Sequence, residues 1–170
     1  MTHRRESGDV LVAAGVAAVV SGAPSTLDTL LRGGDVLASS RAAGVMVVGA
    51  RRSGAAQLAA AVPVHLVLSL GWTALLARVL PQRREPAWGA VAGLAIAAID
   101  LGLVGRRIDP IAALPQPAQW ADHVAFGVAV GVVLRARRLR RLQWIGAAAC
   151  SSALSSNSWK SRPSTGTETL

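Results

Sequence analysis

The stretch AWGAVAGLAIAAIDLGLVG, Ala87 to Gly105, decides how the rest of the chain is read. A bilayer core needs about 20 residues of helix, and this run meets that length with Asp100 as its one ionisable residue. Read as a helix, it puts Gly89, Gly93, Ala97 and Asp100 on one face, because residues three and four apart are neighbours on a helix surface. Helices in lipid gain nothing by hiding apolar surface from water, and small residues let their backbones approach. A carboxyl at the centre of a span costs about 2.5–3.5 kcal/mol on insertion scales. Asp100 is therefore expected to face protein, on the same side as the glycines.

The partner is legible further on, in LPQPAQWADHVAFGVAVG, Leu114 to Gly131. Here His123, Gly127 and Gly131 share a face, and Gly127 and Gly131 form a second GxxxG pair matching Gly89 and Gly93. As consecutive antiparallel spans, the two stretches bring Asp100 and His123 to similar depth. Asp100 lies about 7 Å along the axis from Gly105, and His123 about 5 Å from Trp120, at 1.5 Å per residue. The pattern predicts an Asp100–His123 hydrogen bond across a close-packed interface. Asp122 is read as capping or opening the later span, where a carboxylate suits a helix N-terminus.

Two more apolar runs complete the set. Val10 to Ala23 continues past Pro24 to Leu31, and Ala55 to Ala77 carries Ala61, His65, Ser69 and Thr73 along one face. His65 is expected to join the interior that holds Asp100 and His123, and Ala14, Ala18 and Gly22 supply a matching stripe on the first run. Arg4 and Arg5 before an apolar run, with Ser21-Gly22-Ala23 after it, resemble a signal peptide. Pro24 and the later spans favour an uncleaved first membrane helix. Between the first two runs, Asp35 could cap a helix from Val36 to about Gly49. That segment is short and carries Arg41, so it is read as interfacial or re-entrant.

The fold class expected is thus all-α, a polytopic membrane bundle. It has four transmembrane helices, a short interfacial or re-entrant helix after the first, and a basic surface helix after the last. Residues 1–9 form the N-terminus, 10–134 the membrane bundle, 135–150 the basic helix and 151–170 a Ser- and Thr-rich disordered tail.

Composition agrees with this reading. Charged residues are 16 % of the 170-residue chain and mean hydropathy is +0.42, against about 25 % charged residues in soluble domains. The net charge is nevertheless +9, so the arginines must be gathered. Arg4, Arg5, Arg78, Arg83, Arg84, Arg135, Arg137, Arg138, Arg140 and Arg141 fall on one side of a four-span topology. Arg32, Arg41, Arg51, Arg52, Arg106 and Arg107 fall on the other. The positive-inside rule then puts both termini in the cytoplasm and the protein in a bacterial inner (plasma) membrane. Trp88 and Trp120 open their spans as interfacial anchors. Arg135, Arg137 and Arg138 begin a basic run to Arg141 that fits anionic lipid headgroups better than nucleic acid.

The motifs exclude more than they assign. Cys150 is the single cysteine, so no disulfide can form within the chain. No GxSxG, HExxH or P-loop is present, so no catalytic, cofactor-binding or metal-binding residue is assigned and a non-enzymatic role is preferred. Asp100, His123 and His65 form the candidate polar cluster. It acts either as glue that fixes helix register or as a proton, ion or small-solute path, since intramembrane ionisable groups are functional candidates by default. Haem ligation by His65 and His123 ranks lower because their depths differ. A homo-oligomer is compatible with the sequence.

SGAPSTL (Ser21 to Leu27), SRAAG (Ser40 to Gly44) and LPQPAQWADHVAFGVAVG resemble segments of small actinobacterial integral membrane proteins without an assigned activity. The resemblance covers most of Val10 to Leu134 and implies location and architecture only.

Overall fold

In a computed structural model, which describes residues 7–158, the chain is helical, with no strand among those residues. The helices are α1 (Ser7–Val20), α2 (Ala23–Leu31), α3 (Ala38–Val48), α4 (Gly54–Val79), α5 (Glu85–Ile99), α6 (Asp109–Ala112) and α7 (Gln116–Ser158). A π-helical turn, Asp100–Val104, and a 3₁₀ turn, Gly105–Arg107, extend α5. The chain packs as two compact units, Met1–Arg135 and Ala136–Leu170.

The first unit is a helix bundle turned inside out relative to a water-soluble one. Its core is thin: Ala13 and Ala17 of α1, Leu76 and Leu80 at the end of α4, Ile96 of α5, and Phe126, Val130 and Leu134 of α7. Large apolar side chains point outward instead, among them Val19 at 83 % exposure, Leu31 at 79 % and Val67 at 67 %. Water would penalise that surface at roughly 25 cal/mol per Å², whereas acyl chains would not. Three helical segments, Ser7–Leu31, Gly54–Val79 and Glu85–Arg107, are long and apolar enough to cross a membrane, which marks this as a membrane protein. The fourth bundle member, the first part of α7, is more polar. Its apolar run from Val124 to Leu134 is bounded by Asp122 and His123 on one side and Arg135 on the other.

The first span is broken between α1 and α2. Pro24 has no N–H, so the Val20 carbonyl cannot take its i+4 bond, and Ser21 and Gly22 form a turn there. The chain recovers at once: Thr26 N–H donates to the Gly22 carbonyl at 3.1 Å. The buried residues of α1 are Asp9, Ala13, Ala14 and Ala17, followed by Ser21. Ala14 is buried as expected, but the line through Asp9, Ala13, Ala17 and Ser21 stands one residue before the expected Ala14, Ala18 and Gly22, and Gly22 lies in the break.

α3 leans on the start of α4. Ser53 is extended and its Oγ accepts from Ala56 N–H at 3.3 Å, capping α4. The Gln57 amide donates to the Ala50 and Arg52 carbonyls, which fixes the connecting turn. A Cβ at Gly44 would collide with the Gln57 carbonyl, so the two backbones touch. α3 starts at Ala38, later than the expected Val36, because the Asp35 carboxylate first accepts from Leu37 N–H at 2.9 Å and closes a local turn. Arg41, the charge that argued against a crossing here, is ion-paired with Asp35.

The end of the chain differs from expectation. No separate basic helix follows Leu134; α7 continues through the arginines to Ser158. The stretch from Ser151, expected to be disordered, is helical as far as Ser158. Extending an existing helix needs no new nucleus, and Ala147, Ala148, Ala149, Ala153 and Leu154 are good helix formers. The remainder of that expected tail, and residues 1–6, lie outside the described residues. Within the second unit, Leu139, Leu142, Trp144 and Ile145 are exposed.

Candidate functional site

The site is built on the crossing of α5 with the first part of α7. A Cβ at Gly89 would strike the Gly127 carbonyl, one at Gly93 the His123 carbonyl, one at Gly127 the Gly89 carbonyl, and one at Gly131 the Glu85 carbonyl. All four glycines of the two GxxxG pairs therefore meet the opposing backbone. The pairing runs antiparallel, in register by turns: 85 with 131, 89 with 127, 93 with 123. Helical side chains tilt toward their own N-terminus. That tilt carries the His123 ring away from Gly93 and along the seam toward Asp100.

His123 and Asp100 do come together. Nε2 of His123 lies 3.5 Å from Oδ2 of Asp100, with both side chains about three-quarters buried. This is ion-pair range, longer than the 2.7–3.2 Å of a good N–H···O bond. Asp100's shorter hydrogen bond goes elsewhere: the indole Nε1–H of Trp72 on α4 donates to the same Oδ2 at 3.1 Å. The other face of the histidine is committed as well, with Nδ1 2.8 Å from the Gln119 carbonyl one turn back. Asp100 is the first residue of the π-helical turn, whose Gly105 N–H returns to the Asp100 carbonyl. Single π-turns inside α-helices occur frequently at functional sites.

The sequence missed two partners here. Trp72 carries no motif, and only its hydrogen bond to Asp100 reveals it. Gln119 is 8 % exposed and works twice: its carbonyl holds His123 and its amide donates to Ser39 Oγ of α3 at 3.0 Å.

Two expectations are corrected. His65 does not join the cluster; its Nε2 lies 3.0 Å from the Ala18 carbonyl of α1, and the residue is exposed. On α4 the buried line is Ala61, Ser69, Thr73 and Leu76. His65 stands between buried Ala61 and Ser69 at that spacing, but its imidazole meets the Ala18 carbonyl of α1 rather than α5 and α7. Asp122 does not cap or open its own helix, which begins at Gln116. Its Oδ1 accepts from Ser25 N–H of α2 at 2.8 Å instead. The carboxylate thus caps the N-terminus of α2, the second half of the broken first span, where the helix dipole favours negative charge.

These contacts count protons. The Gln119 carbonyl can only accept, so Nδ1 of His123 must carry a hydrogen; the tautomer follows from the partners. Attraction between Nε2 and Oδ2 then requires one further proton between them. The pair is either imidazolium with carboxylate or imidazole with carboxylic acid, and it is neutral in both forms. Each form is compatible with a low-dielectric surrounding, where an isolated charge is costly. Because both nitrogens of His123 are engaged, it presents no free ligand to a haem iron. Among the described residues, no three His, Cys, Asp or Glu side chains gather in a metal-binding array.

Of the expected anchors, Trp88 is exposed and Trp120 half-buried. Arg135 and Arg140 are exposed, whereas Arg137, Arg138 and Arg141 already have partners within the protein. Comparisons of the chain with protein-family models, with curated proteins and with solved structures give no match.

Proposed function

We propose that this is a non-enzymatic, multi-pass protein of a bacterial plasma membrane whose Asp100–His123 pair serves proton- or ion-coupled transport. One observation carries the reading: two neutralising partners sit 3.5 Å apart at a π-turn, with the far nitrogen of the histidine fixed by Gln119. Such a pair can pass its one shared proton from one member to the other and stay neutral throughout, so the transfer leaves no unpaired charge in lipid. The first part of α7 acts as a fourth crossing and both termini are cytoplasmic, which the arginine distribution supports. The exposed Arg135 and Arg140 meet anionic headgroups on that side. The resemblance to small actinobacterial membrane proteins agrees with this placement.

The test is proton flux in proteoliposomes under an imposed potential. Wild type is expected to conduct, and Asp100→Asn and His123→Gln to lose at least tenfold of that flux. Equal flux in all three, or none in wild type, would remove the transport role. A second reading, in which the pair only fixes helix register, is favoured by the glycine contacts that already seat α5 on α7. It predicts no flux and a stability loss in both variants.

A further inference from the structure

We propose that Trp72 determines which member of the Asp100–His123 pair holds their shared proton: its indole N–H keeps that proton on His123. This rests on the one-proton count above and not on transport itself. Trp72 is a positioning residue, acting through Asp100.

The geometry is specific. Indole Nε1–H is a donor only, and it donates at 3.1 Å to Oδ2, the same oxygen that faces His123 Nε2 at 3.5 Å. A hydrogen bond donated to a carboxylate favours its charged form. Moving the proton to Oδ2 would put a hydrogen on the atom to which the indole already donates. On the histidine side, Gln119 accepts from Nδ1–H at 2.8 Å, which suits the doubly protonated ring. The resting pair is therefore imidazolium facing carboxylate. Transfer moves one proton from Nε2 to Oδ2; the positive and negative charges vanish together, and no co-reactant is needed.

The long Nε2···Oδ2 separation has the same origin. Trp72 draws the carboxylate toward α4, away from hydrogen-bond distance to His123. Closing that gap by about half an ångström would bring the pair into bonding range, so the indole sets both the location of the proton and the distance it must cover. The other ionisable group beside His123 is Asp122, whose carboxylate is held by Ser25 N–H of α2. It faces His123 equally with or without the indole, so it does not account for a change caused by Trp72. Trp72 also packs against the core that contains Leu76 and Phe126. Trp72→Phe keeps an aromatic ring there and removes the donor.

Infrared difference spectra of the full chain in lipid at neutral pH test the assignment. The protonated carboxyl band of Asp100 is identified as the one absent from every sample that carries Asp100→Asn. Wild type is expected to lack it, and Trp72→Phe to show it, with at least a tenfold rise in the protonated fraction. Nitrogen NMR of labelled histidine in unmutated protein gives a second readout that does not depend on any variant folding, and an imidazolium signal for His123 is expected. A wild-type carboxyl band from Asp100, a neutral His123, or a Trp72→Phe spectrum without the band would overturn the proposal. Absent proton flux with this pattern intact would remove transport and leave the role of Trp72 standing. Flux with the proton resting on Asp100 would do the reverse.

Discussion

Glycine recurs along α1 and the turn that follows it as regularly as on α5 and α7, yet the two regions use it oppositely. Gly8, Gly15 and Gly22 are spaced by seven, and a Cβ on any of them would meet nothing within 4 Å. Gly89, Gly93, Gly127 and Gly131 each lie against the backbone of the opposing helix. α1 reaches the core through Ala13 and Ala17 instead, so its contacts are made by methyl groups. The difference teaches that a small residue in a membrane helix marks an interface only where a second helix brings a matching notch. At the α5–α7 crossing that close approach also brings Asp100 within reach of His123.

The comparison can be broken most directly at Gly93. Gly93→Leu should destabilise the bundle at or above the roughly 3 kcal/mol upper end of ordinary overpacking, because the new side chain must displace the His123 carbonyl and the Val124 backbone. Gly15→Leu, in open space, should cause no loss of stability. Thermal or denaturant unfolding in detergent checks both, and equal losses would erase the distinction between the two regions.

A smaller effect sharpens the contrast at the break in the first span. Asp122→Ala removes the acceptor for Ser25 N–H and should cost about 0.5–2 kcal/mol, the range for losing a helix N-cap. Asp122→Asn keeps an acceptor and should cost less. Amide exchange at Ser25 reads the same change locally: its protection should fall in the alanine variant, and unaltered protection would show that the cap does not matter. The smallest expected effect is a gain. Gly15→Ala fills open space on a helix and should stabilise by about 0.5–1 kcal/mol, measured in the same unfolding experiment; a loss would mean that Gly15 meets a partner after all.

Much of the bundle was legible because lipid imposes strict demands on composition. The three long apolar runs appeared within a few residues of their helices, and the Asp100, Gly89 and Gly93 stripe found the His123, Gly127 and Gly131 stripe. What failed has identifiable causes. His65 lay on the right side by count, between buried Ala61 and Ser69, but its imidazole found the Ala18 carbonyl of α1 instead, a contact that no spacing reveals. Asp122 was given to its own helix because a carboxylate near a predicted start is the usual cap; the helix in fact begins earlier, at Gln116. The basic segment was separated from α7 because charge changes there, although helix propensity does not.

By itself the sequence determined the helical class, the three long apolar runs and the two glycine faces that meet, because burying ionisable groups and exposing apolar ones in lipid leaves few arrangements. Tertiary structure alone decided that Trp72 shares the Asp100 oxygen, that Gln119 fixes the ring of His123, and that Asp122 caps a helix elsewhere in the chain. Those pairings depend on side-chain direction and on how far one helix is shifted along another. Shifts of a few ångströms change the partner without changing the hydrophobic pattern.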